Sequence, residues 1–65
     1  MRTKEQVIET IKGRGFTHMK RAVSMLLDTM NDKELDMDFL ESDCRYVLSA
    51  VKDIQELMTE WEEAK

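Results

Sequence analysis

Sixty-five residues, 37% of them charged, with no proline, two glycines and a net charge of −4, describe one small domain, residues 1–65, of helical composition. A net acidic chain is a poor general binder of nucleic acid, because affinity for DNA rests on clustered cations that release counterions. Apolar runs reach only three residues, as at Met25-Leu26-Leu27, against the roughly 20 that a membrane span requires. The expectation is therefore a cytoplasmic protein with no membrane role, its single cysteine in keeping with a reducing compartment.

The first helix is expected over about residues 4–13. Thr3-Lys4-Glu5-Gln6 has the spacing of a reciprocal cap, with the hydroxyl accepting from the Gln6 N–H and the Gln6 side chain reaching back. Val7, Ile8 and Ile11 form its apolar stripe. Gly13-Arg14-Gly15 offers two residues that tolerate left-handed backbone angles, and is expected to stop the helix.

Register supports a break. Phe16, Met19, Val23, Leu26 and Met30 step by 3, 4, 3 and 4, yet the same frame carried backward lands on Lys12 and Glu9. The spacing predicts a second helix over about 18–31 with Thr17 as its N-cap. The alternative is one helix from 4 to 31 that tolerates both glycines at about 1 kcal/mol each.

The third segment is the clearest. Met37, Leu40, Cys44, Val47, Val51, Ile54, Met58 and Trp61 step by 3, 4, 3, 4, 3, 4 and 3, an unbroken heptad seam. It predicts a long helix over about 38–63, capped by Asp38 with Glu41 as the reciprocal partner, and roughly 39 Å long at 1.5 Å per residue.

Helices one and two laid end to end match that length, which gives an all-α antiparallel hairpin with a broken first arm. Leu48 and Leu57 flank the seam, with Ala50 beside Leu57, so the apolar stripe is wider than one neighbour covers. A third contact is implied, either helix one folded across the hairpin or another subunit. Chains this short bury only about 60% of their unfolded surface, and one cysteine without a cysteine–histidine cluster removes disulfide and metal as remedies. The bundle is expected to be completed by self-association, with a dimer favoured.

Charge is lopsided. Residues 1–33 carry seven Lys/Arg against four Asp/Glu, or +3, and residues 34–65 carry three against ten, or −7, together the −4 of the chain. An antiparallel hairpin sets Arg2 and Lys4 near Glu60, Glu62 and Glu63, offsetting acids placed against the helix dipole. A candidate anion patch gathers Arg14, His18, Lys20 and Arg21 where Gly15 opens the second helix.

Little else points to chemistry. His18 is the single histidine and is read as a surface residue; Cys44, on the seam, is read as a small buried apolar side chain. Asp32, Glu34, Asp36 and Asp38 alternate as in a calcium loop, but Met37 stands at the tight turn and Asp43 at the twelfth position. Phosphate-loop, dinucleotide, zinc-protease and nucleophile-elbow patterns are absent from the sequence, so no catalytic residue, cofactor or metal is expected. Met25 and Tyr46 fall off the seams and are candidates for an external contact.

Segment 15–31 resembles the second helix of the small sporulation-type aspartyl-phosphate phosphatases, with Ser24, Leu27 and Asp28 matching and Met25 and Leu26 where that family has Gln and Glu. The resemblance implies a phosphatase-like role for Asp28. Glu34-Leu35 followed by Asp43-x-Arg45 is similar to the Hha-like modulators of nucleoid proteins. That implies Asp43 and Arg45 contacting a DNA-organising partner, although Val47-Leu48-Ser49 replaces the family's Ala-Glu-Leu. The chain is assigned to neither family. The functional expectation is a non-catalytic helical module that binds another protein, with an indirect transcription or nucleoid regulator and an aspartyl-phosphate phosphatase as alternatives.

Overall fold

The computed structural model describes residues 2–65. Its elements are α1 (Lys4–Thr10), a π-helical segment (Ile11–Gly15), α2 (Phe16–Met30) and α3 (Met37–Glu63), with no strand among the described residues. The first arm comprises α1, the π segment and α2; a six-residue loop returns the chain along α3. Contacts between the arms descend α3 as they climb the first arm. Arg2 meets Glu60, Gly15 lies against Ile54 and Leu57, His18 meets Asp53 and Thr29 meets Asp43, so the hairpin is antiparallel.

The cap at Thr3 forms as the spacing implies: the Gln6 N–H donates to Thr3 Oγ1 at 3.2 Å and the Thr3 N–H donates to Gln6 Oε1 at 2.9 Å. At the other turn the cap is Asp36 rather than Asp38, its carboxylate accepting from the N–H groups of Asp38 and Phe39. Asp36 has the extended backbone an N-cap needs. Asp38 instead places its charge in the first turn of α3, beside the positive end of the helix dipole.

The first arm is interrupted at the glycines, but not by a stop. No glycine among the described residues has a positive φ, and Gly15 is right-handed at φ −62° and ψ −50°. The Phe16 N–H donates back to Ile11 as well as Gly13, a turn with one residue more than an α-turn. That extra residue is the slip read in the sequence. Shifted by one position, the stripe of α2 runs back through Ile11 and Ile8, so Ile8, Ile11, Phe16, Met19, Val23, Leu26 and Met30 are one continuous row. Thr17 caps nothing, and helix one lies in line with helix two instead of folding across the hairpin.

The hairpin is 49 Å long, 15 Å wide and 11 Å thick, one layer of helices. Its buried apolar side chains are Val7, Ala22, Ala50, Leu57 and Ala64, and only Val7 is both large and fully buried. Small residues bring the arms close: a Cβ on Gly15 would stand 3.5 Å from Ile54 and 3.6 Å from Leu57. Close approach of that kind leaves the large side chains to the flanks.

Candidate functional site

Val7, Gly15 and Ala22 on the first arm, and Asp43, Ala50 and Leu57 on α3 with Ala64 at its C-cap, are the buried positions of the contact between arms. A helix turns about 100° per residue. Because the arms run in opposite directions, one residue forward from any of these positions turns to the same side of the hairpin on both arms. One residue back turns to the other.

The two sides differ at these neighbouring positions. Forward lie Ile8, Phe16 and Val23 on the first arm and Cys44, Val51 and Met58 on α3; back lie Gln6, Arg14 and Arg21, with Ser42, Ser49, Glu56 and Glu63. The forward side is apolar along its whole length and largely uncovered: Met30 is 61% exposed, Met37 65% and Met58 52%. Its base holds an apolar groove of about 210 Å³ between Ile8, Ile11, Met58 and Trp61, with Glu62 at the rim. Lys4 reaches over the Trp61 ring with its ammonium 4.5 Å from the centroid, a cation–π contact.

This placement corrects the seam read in the sequence. Leu40, Val47 and Ile54 are shared with the inner contact, but Met37, Cys44, Val51 and Met58 belong to the open side, displaced by Asp43, Ala50 and Leu57. Cys44 is exposed, not a buried filler. Leu57, expected to flank the seam and offer itself outward, is 4% exposed and packs on Gly15. Leu48 does face outward, at 54%.

The polar side is stitched. Arg2 Nε donates to Glu60 Oε1 at 2.7 Å and Nη2 to Oε2 at 2.5 Å, while Nη1 donates to Thr10 Oγ1 at 2.8 Å. The Arg2 hydrogen bond holds the Glu60 carboxyl below its ordinary range, with the Arg2 and Arg14 charges adding to it against some desolvation. Lys4, expected beside these acids, serves Trp61 instead. His18 Nδ1 lies 2.8 Å from Asp53 Oδ2; a carboxylate only accepts, so Nδ1 carries the proton. Tyr46 stands edge-on to the imidazole at 5.0 Å, which makes it an internal contact more than an external one.

The candidate anion patch does not assemble. The Phe16 N–H is bonded within the helical path, so no open helix terminus exists at Gly15, and His18 is taken by Asp53. Arg14 and Arg21 lie on the polar side; Lys20 points outward. Met25 is exposed at 43% on that polar side. Asp43, implied by the Hha resemblance as a contact residue, is 5% exposed and accepts from Thr29 Oγ1 inside the hairpin. Arg45 is exposed and pairs with Glu41 one turn back at 2.6 Å.

The sequence reading missed three pairings: His18–Asp53, Thr29–Asp43 and Lys4–Trp61. Each joins the two arms at matching height, a signal that appears only once the antiparallel register is fixed. Among the described residues, no three His, Cys, Asp or Glu side chains converge as a metal site would require, and no helix is long and apolar enough to cross a membrane. Compared with known protein families, with curated proteins and with solved structures, the chain matches none.

Proposed function

We propose that the chain is a small helical protein-interaction module, self-associating and without catalysis of its own, that works by burying the apolar side of its hairpin against another protein surface. The observation behind this reading is that both apolar stripes turn to one side and that Ile8, Phe16, Val23, Met30, Met37, Met58 and Trp61 along them stay exposed. Large continuous apolar patches on small proteins mark association sites, and a single layer of helices lacks the second layer that ordinarily completes a core. The methionines at 30, 37 and 58 suit such a surface, because flexible thioethers fill irregular gaps.

The test is sedimentation of the intact chain and of Val51→Glu. Self-association of the natural chain at tens of micromolar, lost in Val51→Glu with helical content retained, supports the reading. A compact natural monomer that binds no protein through this side contradicts it.

A further inference from the structure

Resting on that reading, we propose that the occupant of the apolar side is a second copy of the same hairpin, related by a two-fold axis parallel to the helices. The first arm of each copy then covers α3 of the other in a four-helix bundle. Two such hairpins meeting face to face have two symmetric choices. With the axis along the helices, first arm lies on α3 and all neighbours are antiparallel. With the axis across them, first arm lies on first arm and α3 on α3.

Charge separates the two. The segment carrying the first arm holds +3 and that carrying α3 holds −7. Like on like sets the two acidic helices along each other, where like charges repel. The crossed arrangement sets each acidic helix beside a basic one. It also brings Lys12, one residue past Ile11, to the height of Glu62 of the other copy, and Glu62 rims the apolar groove. Glu41 is already matched by Arg45 within α3.

Size fits a second copy as well. A side 49 Å by 15 Å is on the order of 700 Å², close to the roughly 800 Å² per partner of a standard specific interface. An isologous contact needs a patch that is its own complement. Here the patch is built from both arms at one period, so every apolar row has an apolar row to meet.

The experiment uses full-length chains in a Cys44→Ser background, one carrying Val23→Cys and one Val51→Cys, mixed, allowed to exchange and mildly oxidised. Crossed packing puts position 23 of one copy opposite position 51 of the other and keeps the two copies of 51 on a diagonal, beyond the roughly 7 Å Cα separation a disulfide tolerates. The expected result is the mixed disulfide dominating over either self-linked product. Self-linked Val51→Cys as the main product means α3 on α3 and overturns the arrangement while leaving self-association intact. A monomer by sedimentation overturns the underlying reading as well. A second measurement needs no substitution: crossed packing predicts dimerisation that weakens several-fold as salt rises from roughly 50 to 500 mM, because screening removes attraction. Dimerisation that tightens with salt also overturns it.

Discussion

The two sides of the hairpin are made by the same helices and separated by a fraction of a turn, yet they solve different problems. The polar side holds the arms in register by named pairs, Arg2–Glu60 and His18–Asp53, and is finished within one chain. The apolar side has large residues over its whole length, many of them exposed. Register is carried by the polar side, and on the proposed reading the remaining burial comes from association through the apolar side. If that contrast is right, substitutions one residue apart along a helix should differ in kind.

The largest effect is expected at the inner contact. Leu57→Ala removes the one buried leucine, packed on Gly15, and should cost about 3 kcal/mol of stability, as large-to-small core changes do; urea unfolding at fixed chain concentration measures it. One position forward, Met58→Glu should leave the helices formed and weaken self-association about 100-fold, since it sets an unpaired charge in a buried contact. One position back, Glu56→Gln should change neither by more than about 0.5 kcal/mol. Equal effects at 56 and 58 would erase the contrast.

Thr29→Val should cost about 1.5 kcal/mol, because it leaves the buried Asp43 carboxylate without the hydroxyl it accepts from; an unchanged urea midpoint would show that this pair contributes nothing. Gly13→Ala should stabilise the chain by about 1 kcal/mol. The position is helical, nothing lies within 4 Å of the added Cβ, and glycine inside a helix is less favourable than alanine by about that amount. A loss of stability there would contradict the π segment as the form of the interruption.

The smallest effect concerns acid. Glu60 is held below its ordinary range by Arg2. Its contribution is therefore present above the ordinary carboxylate range and is lost as pH falls through the lowered folded value. Both partners are exposed, so the effect is small and sensitive to salt. Glu60→Gln should flatten the acid limb of the stability profile at and below the ordinary carboxylate range, relative to the natural chain; an unchanged limb would show that the pair does not hold the open end of the hairpin.

Much of the fold was legible. The heptad from Met37 to Trp61 placed α3 within one residue at its start, and Thr3–Gln6 placed the first cap. The frame shift between Ile11 and Phe16 located the π segment, although glycine was misread as a stop: a phase slip and a break leave the same trace in a pattern of apolar residues. The orientation of the seams was not legible from that pattern, because many of the large apolar residues lie on the exposed side of the hairpin instead of in the contact between the arms. The inner contact is written in Gly15 and Ala22 and in Asp43, Ala50, Leu57 and Ala64, each set at seven-residue spacing. Small and polar residues barely register in a hydrophobic stripe, yet they decide which way a tight helical pair faces.

Sedimentation equilibrium of the natural chain at tens of micromolar tests the central claim most directly. A species of twice the 7.7 kDa chain mass, dissociating when Met58 becomes Glu but not when Glu56 becomes Gln, is the expected result. A compact species of a single chain mass, unchanged by either substitution, would contradict it.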